Sequence, residues 1–456
     1  MTTYIVRRLF LMVPTLLGIT LIVFTVMAAA PGGISAQSLI EGQNLEPQAK
    51  KALEDYYNRL YGLDDPAPVQ YLRWLNNVSP AGFIFDDDGN VNSFSFTKGS
   101  NLGRSFRVGR PVGDLLAERI PITLLLNVLS IPLIYAIAIG IGVRAAAKSG
   151  SRFDVTSNVI LLGLWSVPTM LAGILMIGFL ANEQHWRWFP TAGLSTREAL
   201  DMPFMPHWDS LGQAAVFALS LLGFTLLFLV LAKLRATKIR PLLSGSYAGL
   251  FVGVCWMIGG SETLFGAVIL GIVIFAIFQF VDDSGWRSVL AVLVAVVSCL
   301  FVYSFWSSGG FVRGFLLDRL WHLVLPVACL SYGGVAFLAR LSRSSVLENL
   351  YADYARTARA KGLSETEVLW RHVMRNSLLP LITVSASLLP AMLAGSVIVE
   401  SIFSIDGMGK LAVEAVQGRD RELVLSITLF SGILTLFGYL IADICYAIAD
   451  PRVNYD

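Results

Sequence analysis

One stretch of this sequence concentrates groups that could do chemistry. Residues 351–376, "YADYARTARAKGLSETEVLWRHVMRN", set Arg356, Arg359, Lys361, Arg371 and Arg375 among Asp353, Glu365 and Glu367. A single glycine, Gly362, separates two runs of helix formers, and long apolar runs lie on either side. Three readings fit. The segment is a solvated loop, an amphipathic helix on an anionic leaflet where each base gains about 1 kcal/mol, or a docking helix for a soluble partner. Leu347, Leu350, Tyr351 and Tyr354 recur at three- and four-residue spacing, as do Leu369 and Val373 beyond the glycine, predicting an apolar seam. Gly362 permits a left-handed backbone and so can end one helix and turn the chain toward another. A projecting helix–glycine–helix element suits docking better than leaflet binding, but residue chemistry alone leaves the choice open.

Other chemistry is thin. Gly409–Lys410 is followed by Leu411 and lacks the upstream glycine of a Walker A loop, so the chain does not cradle nucleotide phosphates in that way. No nucleophile–base arrangement stands out. Cys255, Cys299, Cys329 and Cys445 lie inside apolar runs without metal-ligand spacing and read as buried small hydrophobes. His185, His207, His322 and His372 are scattered, so no metal site is expected. Ionisable residues near apolar runs are functional candidates. Asp443, in the last run, either pairs inside the bundle, a base of a partner subunit being one candidate, or merely reaches the interface. Glu400 either braces the glycine-containing turn after it or lines a mouth.

These residues must be positioned by membrane spans. Hydrophobic residues make up 55% of the chain and charged ones 14%, the mean hydropathy is +0.66, and several apolar runs reach the roughly 20 residues that cross a bilayer as helix. The fold class is an all-α polytopic membrane protein. Spans are predicted near 9–29, 122–143, 155–181, 211–232, 245–260, 264–281, 288–306, 322–341, 378–400 and 424–447. The first apolar run, behind Arg7 and Arg8, is longer than the roughly 7–15 residues of a signal peptide and reads as a retained span. Basic residues in short loops set the orientation. Arg144, Lys148 and Arg152, then Lys233, Arg235, Lys238 and Arg240, then the charged stretch itself all fall inside if the N-terminus is cytoplasmic, and so does the C-terminus. Residues 31–120 form an external region, with a helical piece after a Pro-containing turn at "LYGLDDPAPVQYLRWLNN" and a loop or hairpin at "FDDDGNVNSFSFTKGS".

"YARTARAKGL" followed by "RHVMRNSLLPLIT" resembles the cytoplasmic loop of ABC-importer permeases of the dipeptide/oligopeptide/nickel type. So do "YIVRRLFLMVPTLLGITLIVF", "NLGRSFRVGRPVGDLLAERIPITLLL", "GSVIVESIFSIDGMGKLAVEAVQGRD" and "IADICYAIADPRV", in the family's order and over most of the chain. The resemblance implies a six-span type I importer permease core, with about four extra spans inserted at 211–306 and about ten spans in all. The core is expected at 1–30, at 121–210 and at 307–456, the last holding a coupling loop at 342–377. It implies that Tyr354, Ala355, Arg356, Thr357, Ala358, Arg359, Ala360, Lys361, Gly362 and Leu363 form the element that meets an ATPase. Arg356, Thr357 and Ala358 take the family's signature positions, where only the last alanine matches the general form.

The resemblance further implies that Gly103, Arg104, Ser105 and Phe106 face a solute-binding protein, although "GRSF" also reads as a plain turn. Glu400, Gly407 and Gly409 fall in the external gate region, where Ile405–Gly409 departs from the family's Trp-Pro-Gly-Leu-Gly. Residues 82–101 look inserted relative to the family's shorter loop. The implied partners are a second permease, two ATPases that carry the ATP and Mg, an extracytoplasmic solute-binding protein and the lipid bilayer of a bacterial-type inner membrane. No nucleic acid and no cofactor on this chain are implied. The rival readings are a stand-alone secondary transporter or channel, which predicts inverted repeats or midplane charges, and a membrane-embedded enzyme, which needs clustered His, Asp or Glu. Neither signal is present.

Overall fold

The computed structural model describes residues 2–30, 65–85, 91–182, 188–205, 211–233 and 314–449, with short pieces within 47–58, 184–185, 207–208 and 244–312. The helices are α1 (Thr2–Ala29), α2 (Ala67–Val78), α3 (Val112–Ala147), α4 (Arg152–Ser166), α5 (Thr169–Met176), α6 (Leu211–Lys233), α7 (Gly314–Leu350), α8 (Asp353–Ala360), α9 (Glu365–Glu367), α10 (Met374–Ile402), α11 (Met408–Gln417) and α12 (Arg421–Ala449). A π-helical turn, Ile177–Ala181, extends α5, and another, Val368–Val373, joins α9 to α10 without a break. Contacts divide the chain into one unit of residues 1–193 and 322–456 and a second of 194–321.

Among the described residues, five helices are long and apolar enough to cross a bilayer, or six if α4 and α5 count as one bent span. The predicted spans at 122–143 and 322–341 are the apolar middles of longer helices. At about 1.5 Å per residue α3 and α7 each exceed 50 Å, well beyond a hydrocarbon core of about 30 Å. Hydropathy sees only the part in lipid; the polar ends continue as helix because neighbouring elements cover them.

The span expected at 155–181 is not straight. α4 and α5 meet at 96°. Val167 is extended (φ −83°, ψ 121°) before Pro168, as a residue preceding proline prefers. The carbonyl freed there accepts from the Tyr332 hydroxyl at 2.6 Å. The spans expected at 245–260, 264–281 and 288–306 fall partly outside the described residues, and the described pieces within them are helical.

Strand is confined, among the described residues, to two short pairs. β1 (Gly82–Phe85) and β2 (Val91–Ser95) form an antiparallel hairpin behind α2, where loop or hairpin is predicted. β3 (His207–Trp208) pairs antiparallel with β4 (Phe311–Val312), so the two ends of the intervening segment lie side by side. Backbone bonds from Phe315 N to Pro203 O and from Leu316 N to Phe204 O extend that closure. Inside this second unit Phe228, Leu231, Ala232, Ile274, Ala291, Val294 and Ala295 share a core. Buried Arg287 donates to the Ala232 carbonyl at 2.6 Å near the C-terminal end of α6.

Among the described residues the first unit has four apolar cores, one of them joining Phe24, Tyr71, Trp74 and Leu425; the other three follow one another along α3. One joins α3, α11 and α12 through Val112, Leu116, Met408, Leu411 and Ile427. A middle one packs Ile134 and Ala138 on Val335, Leu338 and Leu381. The third lies at the Gly362 end. Between the last two, α3 and α7 nearly touch: a side chain on Gly142 would sit 2.7 Å from the Ala339 carbonyl. Cys299 and Cys329 are buried as expected, whereas Cys445 is exposed on α12; Cys255 lies outside the described residues.

Candidate functional site

The charged stretch folds back on the ends of the spans. α7 stops at Leu350, residues 351–352 turn, and α8 begins. Asp353 in its first turn and Arg359 in its last complement the helix dipole. Gly362 closes it with φ +83° and open space around the missing side chain, so the glycine is needed for its conformation and not for room. The next helix opens with a capping box in which Ser364 and Glu367 satisfy each other's backbone. The Ser364 hydrogen bonds hold the Glu367 carboxyl below the usual carboxylate range.

Ala355 and Ala358, 0% and 4% exposed, press onto Val143 and Ala146 of α3, Val346 of α7 and Val368, Val373 and Met374. Leu347, Leu350, Leu363 and Leu369 border the same cluster. The predicted seam is therefore corrected at two places: Tyr351 and Tyr354 are exposed. The turn at 351–352 breaks the helical phase, and the inward positions restart at the alanines.

The outward face holds Tyr354, Arg356, Thr357, Ala360 and Lys361. The Arg356 side chain is 72% exposed, with Asp353 at 3.4 Å. Arg359 is tied down, donating to Glu365 at 2.9 Å and to the Leu350 carbonyl at 3.0 Å.

Beside this element lies a contact that sequence reasoning missed. Arg343 grips Asp154 with two bonds, 2.5 and 2.8 Å, and the Asp154 side chain is 4% exposed. Asp154 also accepts from Gly150 N and Asn158. The start of α4 is thus clamped to α7 within two turns of the charged stretch. The partners are 189 positions apart, and no local pattern links them.

At the other end of the spans, charges are buried. Glu400 is wholly enclosed, accepting from Thr123 Oγ1 at 2.7 Å and from Lys410 N at 2.9 Å, so its carboxylate caps the first turn of α11. Thr123 Oγ1 in turn accepts from Met408 N at 2.8 Å. A side chain on Gly407 would meet the Glu400 carboxyl at 2.4–2.6 Å, and one on Gly409 would meet the Val397 backbone at 2.6 Å. In this geometry Glu400 braces the turn, and the two glycines make room for it.

The 103–106 turn docks on the start of α12. Ser105 donates to Asp420 Oδ2 at 2.5 Å, and Asp420 Oδ1 receives Leu423 N. Burial raises the Asp420 carboxyl above its ordinary value, against the pull of the Ser105 hydrogen bond. Arg421 is 3% exposed. It donates to Glu422 at 2.6 Å and to Gln70 Oε1 at 2.6 Å, and lies 5.6 Å from the Phe106 ring centre. Of the four predicted residues, Ser105 and Phe106 face inward, Gly103 (φ +76°) lies against the Glu422 carboxylate, and Arg104 alone is exposed. Asp443 pairs with Arg8 of this same chain at 2.5 Å, linking the first and last spans; neither sequence reading had named that partner.

No group of three His, Cys, Asp or Glu placed to hold a metal occurs among the described residues. Several apolar spans, a polar helical element seated on their ends and a braced glycine turn define a polytopic α-helical membrane protein. Residues 1–127 match the model for the N-terminal part of the binding-protein-dependent transport system membrane component. Residues 263–455 match that for the binding-protein-dependent transport system inner membrane component. The oligopeptide transport system permease protein AppB of Bacillus subtilis (strain 168) is 30% identical over the whole of both chains. The dipeptide transport system permease protein DppB of Escherichia coli (strain K12) is 26% identical over all of this chain and 99% of its own. The peptidoglycan transport system permease protein YejB of Agrobacterium fabrum is 26% identical with the same coverage. The chain belongs to the family of binding-protein-dependent transport inner-membrane components and is a multi-pass transport permease subunit rather than an enzyme.

Proposed function

We propose that the chain is the transmembrane permease of an ATP-driven ABC importer. It moves peptides or peptide-like solutes, delivered by a solute-binding protein, into the cytoplasm by alternating access. Residues 354–363 meet an ATPase, a second permease completes the pathway, and ATP and Mg sit on the ATPase subunits. The N- and C-termini lie in the cytoplasm, and residues 211–306 are an insertion in a six-span core. Arg104, with Gly103, Ser105 and Phe106 behind it, lies toward the binding protein, and the turn braced by Glu400, Gly407 and Gly409 belongs to the external gate.

One observation carries this reading. α8 presents an exposed polar face while its two buried alanines seat it on residues of α3, α7 and α10. A push on such an element is delivered to several spans together, because a close-packed seat transmits displacement instead of absorbing it. Peptide cargo is supported by the relatives, an oligopeptide and a dipeptide transport permease protein.

The test is co-purification with candidate ATPase subunits, before and after Ala358→Asp and Gly362→Val. Both variants should lose the ATPases while remaining in the membrane. Transport by the wild-type chain alone, with no ATPase bound and no ATP requirement, would overturn the reading.

A further inference from the structure

α4 has little seat of its own. Of its 15 residues only Asp154 and Leu161 are buried, and Leu161 enters the middle core with Val335 and Leu338. A helix so thinly packed is held where side chains tie it. Arg343 grips Asp154 side-on, with two parallel bonds of 2.5 and 2.8 Å, a geometry that fixes orientation as well as distance. Farther along, Trp165 stacks on Phe337 with ring centres 5.5 Å apart. The Tyr332 hydroxyl donates to the Val167 carbonyl, and Cys329 Sγ lies 3.7 Å from the Thr169 carbonyl oxygen. The partners on α7 fall from 343 to 329 while those on the bent span rise from 154 to 169. The two therefore run antiparallel and are tied at intervals over about 21 Å.

The ties at the two extremities reach different things. Arg343 lies one turn before Val346, which helps to seat α8. Beyond the elbow, a side chain on Gly173 would meet Ile402 at 3.2 Å. In the loop that follows, Gly193 N donates to the Phe403 carbonyl at 2.9 Å. Ile402 ends α10 and Phe403 caps it, directly after Glu400, whose carboxylate braces the Gly407–Gly409 turn. α10 joins the two ends of the unit once. The bent span joins them a second time, and at the charged end its hold on α7 is the Asp154 pair.

We infer that Asp154 and Arg343 are a positioning pair for the transport cycle. They make α4 travel with α7, so a displacement of the seat under α8 reaches the Ile402–Phe403 end of α10 through the elbow at Val167–Pro168. This rests on the ATP-driven reading above, in which α8 meets an ATPase. Both residues act through the elements they join.

The experiment uses the complex of the chain with second-permease and ATPase subunits in proteoliposomes. Ser401→Cys, in the exposed last turn of α10, is the reporter, and Cys255→Ser with Cys445→Ser removes native thiols other than the buried Cys299 and Cys329. The rate of maleimide modification at 401 is read with and without a non-hydrolysable ATP analogue and Mg. In the otherwise wild-type chain the analogue should change that rate by about fivefold or more, the low end of coupling between distant sites. Asp154→Asn and Arg343→Gln should each remove most of the change while the ATPases still co-purify, and the double variant should lose no more than either alone. Arg343→Lys keeps the charge, loses the two-bond grip and should respond at an intermediate level; it carries the test alone if the neutral variants do not fold, as read by melting temperature. A full response in folded variants, or a double variant well below both single ones, would overturn the pair. Loss of the ATPases in step with the response would make it a structural contact and overturn it too. A wild-type complex that never responds fails at the ATP-driven reading itself, and the inference falls with it.

Discussion

The two ends of the first unit handle charge in opposite ways. At the Gly362 end, Arg356 and Lys361 point outward and the seat is made of alanines, valines and a methionine. At the Gly407 end, Glu400, Asp420, Arg421 and Glu422 are buried, and each is held by named donors or acceptors. Exposed charges cost the fold almost nothing and stay available to another molecule. Buried charges are strongly destabilising once a partner is removed, so they hold geometry. The same kind of residue therefore serves recognition at one end and bracing at the other.

The contrast can be broken most severely at Arg421. Arg421→Met leaves Glu422 buried without its cation and should cost about 3–5 kcal/mol, read as a large fall in melting temperature in detergent. The pair variant Arg421→Met/Glu422→Gln should recover much of that loss. Next come the glycines. Gly409→Val drives a side chain into the Val397 backbone and should cost at least the 1–3 kcal/mol typical of overpacking. Gly362→Val meets open space and should cost only the left-handed penalty of about 1–2 kcal/mol.

A smaller effect is expected from pH. Asp420 has its folded pKa raised by burial. Its stabilising contribution is therefore complete below the unfolded value of about 3.9 and is lost as pH rises through the folded value. Asp420→Asn should flatten that part of the melting-temperature profile. Smallest of all, Arg356→Ala should leave the melting temperature unchanged while weakening ATPase co-purification. An equal fall in stability would mean the charged face is structural after all.

Local signals were legible in the chain and long-range ones were not. Apolar runs marked the helices around 9–29, 122–143, 211–232, 322–341, 378–400 and 424–447, because a span's hydropathy is a property of its own residues. Gly362 announced its turn, since few other residues adopt that backbone. Pro168 carried the break in the third run, yet run length outweighed it. The inward positions of α8 went to alanine, which no apolar pattern picks out. Asp154–Arg343, Ser105–Asp420 and Arg8–Asp443 join residues far apart in the chain, and a single sequence holds no trace of such pairings.

The helix that begins at Glu365 runs through the π-helical turn and on to Ile402. Its first turns carry the charged loop's seat, and its last carries Glu400. The π turn therefore sets the angular phase between the two. An α-helix advances about 100° per residue and the wider π turn less, so the winding of Val368–Val373 decides where Glu400 arrives relative to Gly407 and Gly409, while the buried Val368 and Val373 of the same turn belong to the seat. That short turn works as a timing mark on a shaft, its two valines fixing one end and its winding setting the other.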